Sequence, residues 1–278
     1  MRLLAPINKI IPFSTVDGPG NRTSVFFQGC NIHCRYCHNP ETQNLCNNCG
    51  DCIATCKANA LTLTEGKIVW NPNLCVQCDT CLQTCKHNAS PKILWMSVEE
   101  VFQEIKKNIP FIRGVTVSGG ECSLYLPFLR ALFQRCHQEG LTTLMDSNGF
   151  LPLPKDDFFS FCDGVMLDIK SWDEEVHQRL TGKKNQTIKE NLLYLSKIER
   201  LQEIRIVVVP SLVDVNSCLQ GVKEIIKDKI EHVHLKLIAF RPLGVKGELA
   251  TWSSPTAKMM QDYAEYAHHL GYKNVEIR

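Results

Sequence analysis

Six short runs of aliphatic and β-branched residues punctuate the chain, at 23–28, 115–118, 142–146, 165–169, 204–209 and 232–240. Val, Ile, Leu, Phe and Met dominate them with little polar alternation, the pattern of parallel strands covered on both faces. Between them the apolar spacing becomes helical, at 98–108, 127–139, 174–180, 188–198 and 217–228. Ser97 followed by Glu100 reads as a capping box opening the first of these helices. A last helix over 256–270 is bracketed by Pro255 and Gly271. Repeated strand-then-helix units imply a parallel sheet with right-handed crossovers. Six strands fall short of the eight of a closed barrel. The pattern therefore predicts an α/β fold, an open, partial (β/α)6 TIM-like barrel with its site at the C-terminal ends of the strands. A doubly wound, Rossmann-like sheet is the alternative arrangement of the same units.

Residues 41–92 break this rhythm. They lack a long helical pattern and carry an internal repeat, Cys46-x2-Cys49-x2-Cys52-x3-Cys56 and Cys75-x2-Cys78-x2-Cys81-x3-Cys85. The expected organisation is a barrel built from 1–40 and 93–278, with a small α+β domain inserted over 41–92. A formal charge of +2, from 31 basic and 29 acidic residues, predicts no strong attraction to nucleic acid or to a membrane surface. No apolar run approaches the roughly 18 residues of a membrane span. Residues 1–12, interrupted by Pro6, Asn8 and Lys9, do not read as a signal peptide. The chain is thus expected in the cytoplasm, where its fifteen cysteines argue for metal ligation rather than disulfides. Eleven of them lie between Cys30 and Cys85. The other four, Cys122, Cys136, Cys162 and Cys218, are expected as small buried apolar side chains.

Each half of the repeat has the spacing of bacterial ferredoxins, in which the fourth cysteine of one run ligates the cluster of the other. That resemblance implies one [4Fe–4S] cluster on Cys46, Cys49, Cys52 and Cys85 and a second on Cys75, Cys78, Cys81 and Cys56. Zinc is the alternative occupant of paired C-x2-C knuckles. Lys57 and Lys86 stand where the ferredoxin runs have proline. Two such clusters would make the insert an electron relay.

Cys30-x3-Cys34-x2-Cys37 is different in kind. Three close cysteines can hold three irons of a cubane and leave the fourth open to a bidentate ligand. The amino and carboxylate groups of S-adenosylmethionine (SAM) suit that role. With Tyr36 before its third cysteine, the motif resembles that of the radical SAM superfamily. The surrounding Asp17-Gly18-Pro19-Gly20-Asn21-Arg22, Phe27-Gln28-Gly29-Cys30 and Cys37-His38-Asn39-Pro40 are most similar to the glycyl radical enzyme activating enzymes, the pyruvate formate-lyase activase-like group. The insert and the opening Lys9-Ile10-Ile11-Pro12-Phe13-Ser14 look like the YjjW-type members.

The resemblance implies a cytoplasmic enzyme of anaerobic chemistry, carrying a SAM-binding [4Fe–4S] cluster. It would cleave SAM reductively to methionine and a 5′-deoxyadenosyl radical, which abstracts hydrogen from a glycine Cα of a partner glycyl radical enzyme. A flavodoxin or ferredoxin would donate the electron, and no side chain need act as general acid or base. The resemblance also assigns contacts. Ser118-Gly119-Gly120-Glu121 would meet the SAM amino group. Asp146, beside Ser147, would hold a monovalent cation next to the SAM carboxylate, together with Asp168 and the backbone of Met166. Lys170 and Arg205 would counter negative charge around the carboxylate and ribose. His38 lies in the cluster motif, and Arg241 stands where the family often has histidine. Another radical SAM enzyme acting on a small molecule or peptide, and a non-enzymatic electron carrier or zinc protein, are the competing readings.

Overall fold

The structure, a computed structural model, describes residues 3–278. Strand β1 (Leu4–Ser14) runs antiparallel to β2 (Arg22–Phe27). The chain then leaves the sheet for a hairpin, β3 (Leu61–Thr64) and β4 (Lys67–Trp70), and a five-residue helix, α1 (Thr80–Thr84). It returns as β5 (Leu94–Ser97), antiparallel to the start of β1. From there helices and strands alternate: α2 (Val98–Lys106), β6 (Gly114–Gly119), α3 (Leu126–Gln138), β7 (Thr142–Ser147) and β8 (Gly164–Asp168). They continue as α4 (Glu174–Thr181), α5 (Gln186–Lys197), β9 (Leu201–Val208), α6 (Val215–Ile226), β10 (His234–Ala239), α7 (Ala257–Leu270) and β11 (Asn274–Ile277).

The main sheet has the order β11-β10-β9-β8-β7-β6-β2-β1-β5. From β2 to β11 every neighbouring pair is parallel. From β11 to β1 the order never reverses, so the parallel part has no switch point of the doubly wound kind, and it winds one way as an open barrel. The wall helices pack on one another in sequence, α2 on α3, α5 on α6 and α6 on α7. The expected capping box is formed: Ser97 Oγ accepts from Glu100 N at 3.3 Å, and the Glu100 carboxylate accepts from Ser97 N at 2.8 Å. Phe102, Leu129, Phe133 and Phe158 fill the layer between helices and sheet, each fully buried. Cys122, Cys136, Cys162 and Cys218 join that core and are likewise fully buried.

All six expected parallel strands are present, and β11 adds a seventh beside β10. Strand β1 was hidden in the sequence by Pro6, Pro12, Asn8 and Lys9. Its register shifts at Ile7/Lys9 and again at Ile11/Ser14, and Pro12 falls where β5 no longer pairs with it. An open edge needs no proline N–H, so the strand survives.

The excursion after β2 has its own small core, with Leu61 packed between Cys52 and Cys81. So few apolar side chains cannot offset the conformational entropy of some fifty residues unaided. Buried Gln28 ties its first turn to the barrel, donating from Nε2 to Glu41 O at 2.7 Å and Asn44 O at 2.6 Å. Among the described residues, no helix is long and apolar enough to cross a membrane.

Candidate functional site

Successive side chains on a strand point to opposite faces, and here the inward set is polar toward the strand ends. Ser118 of β6, Asp146 of β7, Asp168 of β8 and Arg205 of β9 all line one cavity of about 290 Å³. The loop after β2 closes it. That loop is held by Cys30 N donating to Gln43 O at 2.8 Å, and by His33 N and Arg35 N donating to Thr181 O and Leu180 O at the end of α4.

Cys30, Cys34 and Cys37 line this cavity, and no fourth cysteine does. Nearby Cys122 turns away, its Sγ on Asp146 O at 3.2 Å. Burial pushes the Cys30 thiol up to about 11 and that of Cys34 to about 12, and raises Cys37 as well. A buried thiol of this kind ionises when a metal replaces its proton. Asn148 Nδ2 lies 3.7 Å from Cys30 Sγ and donates to Asn31 Oδ1 at 2.8 Å. The neighbouring Asn31 Nδ2 is buried with no hydrogen-bond partner. Three thiols, a spare N–H beside them and, among the described residues, no fourth cysteine fit an iron–sulfur cluster with one open iron.

The opposite wall is charged. Lys170 Nζ meets Asp168 Oδ2 at 2.8 Å, and Arg205 Nη1 meets Asp146 Oδ2 at 2.8 Å. Burial opposes the Lys170 charge, but the Asp168 carboxylate beside it outweighs burial and keeps the amine protonated. Burial pushes Asp146 up to about 6, against the pull of Arg205. Ser118 Oγ also donates to Asp146, at 2.8 Å. Behind the wall, Arg205 Nε donates to Glu203 at 2.5 Å, and Glu203 also takes Lys236 Nζ at 3.0 Å.

Gly119 and Gly120 have a packing reason besides any ligand. A Cβ on Gly119, whose φ is +122°, would sit 2.2 Å from Phe27 O, and one on Gly120 would sit 2.1 Å from Gly29 O. The two glycines let the end of β6 cross the cysteine loop. Glu121 is almost fully buried, and its carboxylate accepts from Ser147 Oγ, Asn148 N and Ser123 N at 2.7–3.0 Å. It positions the end of β7 rather than offering a free charge.

Most of the residues assigned from sequence thus share the cavity: the three cysteines, Tyr36, His38, Gly119, Gly120, Glu121, Asp146, Ser147, Asp168, Lys170 and Arg205. Tyr36 is buried with its hydroxyl unpartnered, and Lys170 Nζ lies 6.0 Å from its ring centroid. His38 stacks on Phe240 with centroids 5.9 Å apart, and burial lowers its pKa. Two residues lie off the cavity. Met166 is buried behind it, its Sδ 3.1 Å from Arg205 Nη2. Arg241 is exposed, and its backbone N–H points to His38 Nε2 at 3.4 Å. Asp17, Asn148 and Gln43 are polar residues that also line the cavity and were not assigned to it from sequence. Asp17 sat inside the quoted motif Asp17–Arg22, and Asn148 directly follows Asp146 and Ser147 at a strand end, which was their signal. Gln43 had none, because the fold of the excursion brings it there.

In the excursion, Cys46, Cys49, Cys52 and Cys85 line one small hollow, and Cys56, Cys75, Cys78 and Cys81 line another. The fourth cysteine of each run therefore lies with the first three of the other.

The family model of the radical SAM superfamily matches residues 24–216. The chain is 34% identical over 258 residues to the (2S)-3-sulfopropanediol dehydratase activating enzyme of Klebsiella oxytoca, covering 84% of this chain and 80% of that one. It is 30% identical over 252 residues to the pyruvate formate-lyase 1-activating enzyme of Escherichia coli K12, covering 88% and 84%. In fold it resembles QueE from Escherichia coli, with a TM-score of 0.53 at 13% identity over 99% of this chain and 94% of that one. The fold, the three-thiol cavity and these matches define a radical SAM protein. More particularly, the chain belongs to the glycyl radical enzyme activating enzymes, which cleave SAM to generate a glycyl radical.

Proposed function

We propose that this activase holds three [4Fe–4S] clusters, one reactive and two in the insert over 41–92, and draws its electron from a flavodoxin or ferredoxin. The partner would be a glycyl radical enzyme. The observation that carries the reading is the meeting of Cys30, Cys34 and Cys37, with no fourth thiol, on one wall of a cavity whose other wall is charged. Cys30, Cys34 and Cys37 would hold the reactive cluster. When bound, cluster and SAM supply one-electron cleavage of the sulfonium C–S bond and a 5′-deoxyadenosyl radical that takes hydrogen from a glycine Cα.

The chain's own side chains bind and orient. Lys170 and Arg205 face the cavity already paired, so a carboxylate arriving there meets fixed cations with little reorganisation. Asp146 and Asp168 supply the oxygens that a monovalent cation would need, beside the Met166 backbone. Ser118 to Glu121 offer the backbone edge for an amino group. His38 lines the cavity, where it can contact a ligand, and Arg241, off the cavity beside it, would have to reach in to meet the adenosyl end. Asp17 is held by Ser14 Oγ and Ser24 Oγ, each at 2.7 Å, and lines the same cavity. The crossed pairing of the insert hollows supports the ferredoxin-type ligand sets. The many free cysteines suit the reducing cytoplasm.

Anaerobic reconstitution, iron and sulfide analysis, and a dithionite-driven assay for 5′-deoxyadenosine test this. About twelve irons per chain, with SAM cleavage, is the expected outcome. Bound zinc without cleavage would overturn it.

A further inference from the structure

The two insert hollows are not equally connected to the reactive centre. A separate cleft is lined by Cys34, Cys37, Gln43, Asn88 and Lys246, so it touches the reactive cysteines on one side and the insert on the other. Gln43 is buried at its floor. Its backbone oxygen accepts from Cys30 N at 2.8 Å, and the residue lines the cleft together with Cys37. Its Oε1 accepts from Asn88 Nδ2 at 3.1 Å. Asn88 follows Cys85 by three residues, and its backbone oxygen accepts from Asn44 N at 3.1 Å. From the barrel side, Lys246 Nζ donates to Asn88 Oδ1 at 3.0 Å and to Cys85 O at 3.4 Å. A continuous run of bonds therefore joins Cys85 to Cys30. The other hollow has no such link to the cavity among the described residues. Each hollow has one exposed cysteine, Cys49 in the first and Cys78 in the other, so the link to the cavity is what separates them.

Resting on the relay reading above, we propose that Asn88 and Lys246, with Gln43, form the bridge by which the insert passes its electron to the reactive centre. Cys46, Cys49, Cys52 and Cys85 form the inner station, and Cys56, Cys75, Cys78 and Cys81 the outer port. The step moves one electron and no atoms. A protein donor is oxidised at the port, and the centre on Cys30, Cys34 and Cys37 is reduced. Asn88 and Lys246 are positioning residues. They hold the Cys85 segment against Gln43 and fix the contact between two otherwise separate loops. Asn88 has a φ of +49°, so glycine can replace it without strain.

The test uses the reconstituted full chain carrying Asn88→Gly and Lys246→Met together. Rapid-freeze EPR follows reduction of the reactive cluster by a reduced ferredoxin, beside reduction by a small photoreductant that enters the open cavity directly. Loss of outer-shell contacts of this kind typically costs about ten- to a hundredfold. That slowing is expected with the ferredoxin alone, with iron content unchanged and the photoreductant rate kept within about twofold of the unsubstituted enzyme. An unchanged ferredoxin rate with all insert iron in place would overturn the bridge while leaving the relay standing. Equal slowing with both reductants would overturn it too, by placing the effect in the reactive centre. An unsubstituted enzyme without iron in the insert would defeat the relay itself, and the bridge with it.

Discussion

Asn148 donates its backbone N–H to Glu121 Oε2 at 2.7 Å, so a carboxylate rooted at the end of β6 fixes the end of β7. Ser147 Oγ adds a second bond to the same carboxylate at 2.8 Å. Burial raises the pKa of Glu121, and its donors pull the other way. In Glu121→Gln an amide N–H would face one of those donors, leaving a buried group unsatisfied at a cost of about 1–3 kcal/mol. The expected outcome is a lower Tm in thermal melts of the cluster-free protein, with weaker SAM binding by the reconstituted enzyme.

Replacing Cys34 separates the centres. Cys34→Ala should abolish 5′-deoxyadenosine formation and remove about four of about twelve irons, because the insert cysteines keep theirs. Loss of all iron would show that the insert depends on the reactive centre.

Gly119→Ala tests the crossing of β6 over the cysteine loop. The added Cβ meets Phe27 O at 2.2 Å with φ at +122°. Backbone must move, so destabilisation should exceed about 1 kcal/mol. Cluster loading should fall with it, read by iron content and by denaturant melts.

Glu203 is the anion beneath Arg205. Burial works to raise its pKa, but Arg205 and Lys236 outweigh burial and lower it. A carboxylate with a depressed folded pKa stabilises fully above its unfolded value of roughly 4.3 and loses that contribution as pH falls through the folded value. Glu203→Gln leaves two buried cations short of an anion and should cost about 3–5 kcal/mol at pH 7. The deficit against the unsubstituted protein should shrink in melts as the pH is taken below that of the unfolded carboxylate.

Loading of the reactive centre should rise with pH, and over a higher range than for a carboxylate site, because thiols hold their protons more tightly. The Cys30 and Cys34 thiols, pushed up to about 11 and about 12, stay protonated at neutral pH, so iron must displace their protons. Reconstitution should be slower at pH 6.5 than at pH 8.5, with proton release seen in weakly buffered solution. Equal rates at both would mean that another step limits assembly.

The chain's order of strands and helices and its three cysteine runs were legible from residue type and spacing. Apolar runs at period one specify strands covered on both faces, and thiol spacing limits which sulfurs one cluster can reach. The motif residues at strand ends were legible for the same reason, since a strand end fixes a direction. Strand β1, with Pro6, Pro12 and its register shifts, was not legible, because its stability comes from pairing with β2 and β5 rather than from its own pattern. Gln43, Asn88 and Lys246 carry no motif. They meet because the excursion folds back on the barrel, and the bonds of Asn88 to Gln43 and to Lys246 are set by how the loops pack. Sequence alone therefore determined the elements and the kinds of chemistry they carry. Tertiary structure decided that Arg205 and Lys170 are already paired, that Arg241 lies outside the cavity, and which insert hollow touches the reactive centre, because each depends on distances between segments remote along the chain.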